Sequence, residues 1–175
     1  MSHVNSLSLN INVNPPLPQG TTVKIQQGYQ ALFNLGYNML VELSTASAFL
    51  KPNSNIRRIS IPVWAHFDTG ARVTTIADSL ATHLGLTPIS SSPIHTANGT
   101  TVTNNYAIDL AFPNTQLKCL SNLMISSCNL GAFNLQKCIE NQSDQRNFGV
   151  LIGRDIMSCW NITWHGPTST VFISD

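Results

Sequence analysis

The sequence predicts a mainly β fold, and three observations support that prediction. Many short apolar runs alternate with polar residues or end at turn residues, as strands do. Only one segment, residues 74–84, clearly carries apolar side chains at helical spacing. The pair Asn98-Gly99 lies between β-favouring residues, which is a strong signal for a hairpin. At 175 residues, with 42% hydrophobic and 10% charged residues, the chain has the size and composition of one folded domain.

The N-terminal part of the chain predicts three strands. Residues 7–13 alternate Leu, Ile or Val with Ser or Asn, which is the period of a strand, and a proline-rich turn follows them. Apolar patches at 22–25 and 38–43 predict the second and third strands. A turn cluster at 51–55 ends this part of the chain.

We divide the chain after that turn cluster. Residues 1–58 form an N-terminal strand-rich extension, which can serve as a dimer arm, as a propeptide or as strands added to the main domain. Residues 59–175 form the main domain and contain every motif that points to a function.

The main domain begins with a strand at 59–67 and a helix that starts after Val73. Thr74 or Thr75 can act as the helix N-cap, and Gly85 can close its C-terminus. One apolar face of this helix consists of Ile76, Leu80 and Leu84. The remaining predicted elements are a short helix at 154–160 and strands at 106–112, 117–125, 133–139, 148–153 and 171–173.

Charge and hydropathy exclude several classes of partner. The net charge is only +1, whereas nucleic-acid-binding proteins usually present a strongly basic surface to phosphates. No run of 18 or more apolar residues is present, so we expect no membrane span. The N-terminus shows no cationic start followed by an apolar segment, so we expect no secretory signal and a cytoplasmic location.

The histidines and cysteines predict no metal site, and no motif predicts a cofactor. The histidines show no metal-ligand spacing with each other or with the cysteines, and no C-x-x-C pair exists. Neither a phosphate-binding glycine loop nor a serine nucleophile elbow is present. Without a signal sequence we expect reduced thiols, and two disulfides are also compatible with the sequence. The cysteines are Cys119, Cys128, Cys138 and Cys159.

The tripeptide Asp68-Thr69-Gly70 is the main candidate for catalytic chemistry. It follows an apolar strand, so a tight turn holds the carboxylate at the strand end. Gly70 lets the main chain pass close to the carboxylate and can direct its N–H toward it. Thr69 supplies a hydroxyl that can bond to a neighbouring backbone. These are the properties of a pre-organised acid, although an ordinary Asx turn has the same sequence.

A second motif, an apolar pair followed by Gly-Arg-Asp, appears after the hairpin. With it, the chain resembles the retropepsin-like aspartic proteases, a family that includes retroviral proteases and single-domain bacterial relatives. The resemblance covers residues 59–175. It rests on Phe67-Asp68-Thr69-Gly70-Ala71, Thr96-Ala97-Asn98-Gly99 and Leu151-Ile152-Gly153-Arg154-Asp155, in that order.

The resemblance implies a closed, mainly β barrel with one or two short helices, acting as a homodimer. It implies that Asp68 is catalytic, that Thr69 and Gly70 support it, and that Ala71 lines the substrate site. The flap that closes on the substrate would consist of Thr96, Ala97, Asn98, Gly99 and Thr100. Beneath the catalytic loop would pack Leu151, Ile152 and Gly153, with Arg154 and Asp155 stabilising this floor by ionic contacts.

The chain has a single Asp-Thr-Gly loop, which is consistent with action as a dimer. Aspartic-protease chemistry needs two carboxylates that share a proton, and this chain has no internal repeat to supply the second. We therefore predict an aspartic endopeptidase with two Asp68 carboxyls, acting on protein or peptide substrates without a metal or cofactor. The alternative is a dimer of the same fold that binds peptides with weak or no catalysis.

His66 departs from the family pattern, which has an aliphatic residue two places before the catalytic Asp. Strand alternation makes His66 point to the same side as Asp68. It is either buried and neutral, or it adds positive charge and alters the titration of the dyad.

Overall fold

The structure is a computed structural model that describes residues 22–26, 36–49, 59–96, 99–131, 133–141, 143–165 and 169–175. Two predictions from the N-terminal part, the strand at 7–13 and the turn cluster at 51–55, lie outside the described residues. Two positions of the expected flap, Ala97 and Asn98, also lie outside them.

Ten strands and three short α-helices lie in the described part of the chain. The strands are β1 Thr22–Gln26, β2 Asn38–Thr45, β3 Ser60–Phe67, β4 Thr75–Ala77, β5 Ser90–Thr96, β6 Gly99–Ala111, β7 Leu120–Cys128, β8 Phe148–Ile152, β9 Asn161–His165 and β10 Thr170–Ser174. The helices are α1 Asp78–His83, α2 Leu135–Glu140 and α3 Arg154–Met157, with a 3-10 turn at Ser47–Phe49. The mainly β class is confirmed, with three short helices where one or two were expected.

Six strands close into a barrel. Their order is β2-β3-β8-β4-β7-β6, and β2 pairs antiparallel with β6 to complete the ring. β5 pairs antiparallel with the first part of β6, from Gly99 to Asn105, as an added hairpin strand. Ring closure provides each of the six strands with two neighbours, which removes the exposed edges of an open sheet. The closed barrel that the sequence predicted is therefore confirmed.

The core face of β3 determines where its last residue leaves the barrel. Odd-numbered residues of β3 are buried and even-numbered ones are more exposed, which is the alternation of a strand with one core face. This strand contributes Ile61, Val63, Ala65 and Phe67 to the core. Because Phe67 ends the strand in the core, Asp68 begins the following loop at the rim of the barrel.

β3 and β8 bring the two family motifs together. The strands are parallel, and their register pairs Phe67 with Ile152. Parallel partners end at the same edge of a sheet, so Asp68 and Gly153 leave the barrel side by side. The chain positions that the sequence separates by more than eighty residues thus become neighbours.

Strands from the N-terminal part also pair with the main domain. β2 is antiparallel to β3, from Asn38 opposite His66 to Ser44 opposite Ser60. β1 joins β10 and β9 in a separate three-stranded sheet of order β1-β10-β9. The division of the chain at residue 58 stays a prediction.

Helix α1 starts later than the sequence predicted. Residues 75–77 are buried and form β4, which pairs with β7 and with β8. Their backbone groups belong to the sheet, so the helix begins only at Asp78. Its N-cap is Ala77 and no side chain caps it, so the cap predicted at Thr74 or Thr75 is wrong. Gly85, with φ of +62°, follows the last turn, as predicted.

The strand predicted at 133–139 is wrong, because this segment contains α2. The side chain of Asn134 accepts a hydrogen bond from the backbone N–H of Lys137, which starts the helix. The helix has only six residues and fully buries only Cys138. The apolar residues of so short a segment therefore show no clear helical period. Strand β9 was not predicted from the sequence.

The hairpin β5–β6 differs from the prediction by one position. Thr96 pairs with Gly99, so the two residues between the strands are Ala97 and Asn98 rather than the predicted Asn98-Gly99. Gly99 has φ of +117°, which explains why glycine suits this position.

None of the four cysteines, all within the described residues, forms a disulfide. Within the described segments, no helix is both long and apolar enough to cross a membrane.

Candidate active site

The Asp68 loop is held at its start by two backbone hydrogen bonds. The N–H of Phe67 donates to the backbone oxygen of Tyr37 at 2.9 Å. The N–H of Asp68 donates to the backbone oxygen of Ile152 at 3.1 Å. One bond comes from the segment before β2 and the other from the end of β8. The position of Asp68 is therefore determined by strands on both sides of β3.

The loop itself holds one oxygen of the Asp68 carboxylate. The N–H groups of Gly70 and Ala71 donate to Oδ1 at 2.8 and 3.2 Å. The Ala71 N–H also lies 3.1 Å from the backbone oxygen of Asp68, which closes the turn. No hydrogen bond to Oδ2 comes from the described residues. The loop thus fixes the carboxylate and leaves one oxygen for a ligand.

Thr69 and Gly70 form the exposed tip of this loop, whereas Asp68 and Ala71 are partly buried. The backbone oxygen of Ala71 accepts a hydrogen bond from the N–H of Arg154 at 3.0 Å. This bond connects the end of the Asp68 loop to the first residue of α3.

Below the loop, Thr74 and Asp155 connect the two motifs. The Asp155 carboxylate accepts hydrogen bonds from the Thr74 N–H at 2.9 Å and from the Thr74 hydroxyl at 2.8 Å. The same hydroxyl oxygen accepts the N–H of Gly153 at 3.0 Å. Thr74 is 1% exposed, so these bonds are shielded from water. The network joins the residues after the Asp68 loop to those after β8.

Close packing explains the glycine of the second motif. A Cβ on Gly153 would come within 2.5 Å of the backbone carbonyl carbon of Val73. Relief of this clash would require a shift of the main chain. Gly153 is thus required by the approach of two main chains rather than by an unusual φ.

Arg154 and Asp155 were expected to make ionic contacts. Asp155 is instead held by neutral donors, with the Ile156 N–H at 2.9 Å in addition to Thr74. The Arg154 side chain is exposed, and no ion pair joins it to another described residue.

The predicted flap is connected to the site through the sheet. β5 and β6 form the hairpin, β6 pairs with β7, and β7 pairs with β4 next to the loop of Asp68. Nδ1 of His95 lies 2.8 Å from the Thr100 hydroxyl, across the hairpin. Thr96, Gly99 and Thr100 are within the described residues.

His66 lies beside this site, and burial lowers its pKa. The negative charge of Asp68 acts in the opposite direction and favours the imidazolium form. Among the described residues, no group of three or more His, Cys, Asp or Glu side chains is arranged to hold a metal ion.

Sequence reasoning missed two residues that shape the site. Thr74 was expected only as a helix cap, and Asn38 only as part of a strand. Both act through partners that are distant in sequence, so no local pattern could have identified them. The hydrogen bonds connect Thr74 to Asp155 and Asn38 to His66.

Comparison with known proteins agrees with this geometry. The sequence model for the aspartyl protease family matches residues 58–155, which include both motifs and the hairpin. The chain belongs to the aspartyl protease family. The resemblance to retropepsin-like proteases noted from the sequence is thereby confirmed at the family level.

Among solved structures, this aspartyl protease family member is similar to a retropepsin-like aspartic protease from Rickettsia conorii. The two chains share 14% identity, with 87% of this chain and 89% of that chain covered and a TM-score of 0.46. No curated protein matches the chain.

Proposed function

We propose that this protein is an aspartic endopeptidase that acts as a homodimer and hydrolyses peptide bonds in proteins or peptides. The observation that carries the proposal is the Asp68 carboxylate, whose Oδ1 is fixed by two loop N–H groups at 2.8 and 3.2 Å. It stands at the rim of the barrel, within residues 58–155, which the aspartyl protease family model matches.

The dyad requires a second chain. When two carboxyl groups share one proton, one is ionised and the other is protonated, because two carboxyl groups a few ångströms apart do not both ionise readily. Within one chain, Asp155 is already bound by Thr74, and Asp109 is buried and accepts the N–H of Asn122 at 2.8 Å. A twofold axis beside the exposed Thr69-Gly70 tip would bring two Asp68 side chains together.

The mechanism follows from the shared proton. The ionised Asp68 takes a proton from a water molecule held between the two carboxyls, and that water attacks the scissile carbonyl carbon. The protonated Asp68 donates its proton to the carbonyl oxygen, which gives a neutral tetrahedral diol. The diol collapses as a proton passes to the leaving amine, and the C–N bond breaks. Thr69 and Gly70 support the acids, and no covalent enzyme intermediate forms.

The substrate is an extended peptide in this proposal. The β5–β6 hairpin, with Thr96, Gly99 and Thr100 at its described end, would cover the peptide and bind its backbone as an added strand does. Leu151, Ile152 and Gly153 would support the catalytic loop from below. The cytoplasmic location expected from the sequence stays a prediction.

The decisive experiment replaces Asp68 with Asn. Cleavage of a mixed fluorogenic peptide library should fall at least about 10²-fold, because a general acid and base is lost from both halves of the dyad. Sedimentation of the same variant should still show a dimer. The matched control is Asp78→Asn, an exposed aspartate at the start of α1, which should keep its activity.

Two outcomes would contradict the proposal. Undiminished cleavage by Asp68→Asn would show that another group performs the chemistry. A monomer that cleaves peptides would exclude the shared dyad. A folded wild-type dimer that binds the peptides without cleaving them would instead favour the binding alternative.

A further inference from the structure

The imidazole of His66 is held in a close-fitting cluster two residues before Asp68. Its Nδ1 lies 2.8 Å from Oδ1 of Asn38 on the adjacent strand β2. Its ring stacks on Phe148 of β8, with centroids 4.9 Å apart and an interplanar angle of 24°. At its edge lies Gly36, where a Cβ would come within 2.6 Å of His66 Cε1. The ring is therefore fixed in place from three directions.

The hydrogen bond to Asn38 determines which nitrogen gains a proton. Asn38 is 2% exposed, and its Nδ2 donates to the backbone oxygen of Gln145 at 3.4 Å, so its Oδ1 faces the imidazole. An amide oxygen can only accept, so Nδ1 of His66 is the donor in the neutral and in the charged ring. Protonation takes place at Nε2. The ring therefore changes its charge while its contact with Asn38 is preserved.

Asp68 is the charged group that acts on this ring. Its carboxylate favours the imidazolium form, in opposition to burial. Asn38 on β2 and Phe148 on β8, which contact the ring, are uncharged. The loop before β8, which reaches Asn38 through the backbone of Gln145, carries the Asp144–Arg146 pair at 3.1 Å. The cation that forms in acid thus has Asp68 as its electrostatic partner.

We propose that His66 is a positioning residue of the candidate active site, which as a cation keeps the Asp68 dyad singly ionised at lower pH. The inference rests on the proposed function. Added acid protonates Nε2, and a nearby cation stabilises the ionised form of a carboxyl. The acid limit of activity therefore lies at lower pH than it would with a neutral side chain at this position.

The pH dependence of kcat/KM tests this role. His66→Gln keeps a neutral, hydrogen-bonding side chain and should move the acid limb of the profile to higher pH. On that limb, its activity relative to its own maximum should be about threefold lower than that of the wild type, as expected for a shift of about half a pH unit. The control His83→Gln changes an exposed histidine on α1 and should leave the profile unchanged. Coincident acid limbs for His66→Gln and the wild type would overturn the proposal.

A second measurement needs no catalytic activity. The Cε1 protons of the histidines can be titrated by NMR in the wild type and in Asp68→Asn, which retains His66 and the shape of Asp68. Loss of the Asp68 charge should lower the titration midpoint of His66. An unchanged midpoint would overturn the proposal even if the protein cleaves no peptide. A lowered midpoint in a protein without cleavage would support the coupling and contradict the proposed function alone.

Discussion

Thr74 makes three hydrogen bonds that join the two motifs of the candidate active site. Its hydroxyl donates to Asp155 and accepts from the N–H of Gly153, and its own N–H donates to Asp155. A hydroxyl is the smallest side chain group that can donate and accept at once. Because the residue is buried, water cannot replace either partner. The Thr74 hydroxyl thus links Gly153 and Asp155 beneath the Asp68 loop.

Thr74→Val tests that dependence at nearly constant shape. We expect a loss of about 2 kcal/mol in the free energy of unfolding, because the buried N–H of Gly153 loses its acceptor and the Asp155 carboxylate loses one of its donors. Urea denaturation monitored by tryptophan fluorescence measures it. The control is Thr82→Val, whose exposed hydroxyl only donates to the backbone oxygen of Asp78 at 3.1 Å. Equal stability of the two variants would contradict the assigned role of Thr74.

At the scale of elements, α2 shows how a short helix is determined by its contacts. Asn134 accepts the N–H of Lys137 at 2.9 Å and, through its own N–H, donates to Oδ1 of Asn147 at 2.6 Å. Cys138 directs its thiol toward the backbone oxygen of Pro62 on β3 at 3.5 Å. A helix of this length is not stable by itself, so the cap and the packing determine its conformation.

Removal of the α2 cap should destabilise the protein measurably. We expect Asn134→Ala to cost about 1 kcal/mol in the free energy of unfolding, since the Lys137 N–H loses its acceptor. The control is Gln136→Ala on the exposed side of the same helix, where alanine is a good helix former. Thermal unfolding of both variants compares them. Should both lose the same stability, the cap would not be the cause.

At the scale of the whole molecule, strand β9 is an edge strand of the described sheet β1-β10-β9. Its Trp164 is 40% exposed and packs on Phe67, with ring centroids 5.9 Å apart in a T-shaped arrangement. Phe67 immediately precedes Asp68, so this edge lies close to the Asp68 loop. In the proposed function a second copy of the chain supplies the other Asp68, and a strand edge can pair with such a copy.

A negative charge on that edge should weaken the proposed dimer. Thr163→Glu places a carboxylate on an exposed position of β9, and twofold symmetry would bring two of them near each other. We expect the dissociation constant of the dimer to increase by about tenfold or more, with a parallel loss of peptide cleavage. Sedimentation over a concentration series measures it. The control, Ser121→Glu, places the same charge on an exposed position of β7. An unchanged dimer in Thr163→Glu would exclude β9 from the interface.

Most strands of the barrel and the Asp68 turn were predictable from the sequence because their signals are local. Alternation along 59–67 and the apolar run at 148–153 identify strands within a few residues. Asp68-Thr69-Gly70 defines a turn in which backbone N–H groups meet a carboxylate three positions away or less. Elements whose conformation depends on distant partners were predicted less well: residues 75–77 follow a helical pattern, yet sheet pairing with β7 and β8 makes them a strand.

The sequence by itself determined the mainly β class, the candidate acid and the family to which the chain belongs, because these depend on short patterns of neighbouring residues. Only the tertiary structure decided which distant residues support the site around that acid. Thr74 meets Asp155 across 81 positions of the chain, and Asn38 meets His66 across 28. Such contacts form when parallel and antiparallel strands close into a barrel, and a hydrogen bond between distant residues leaves no periodic signal along the chain.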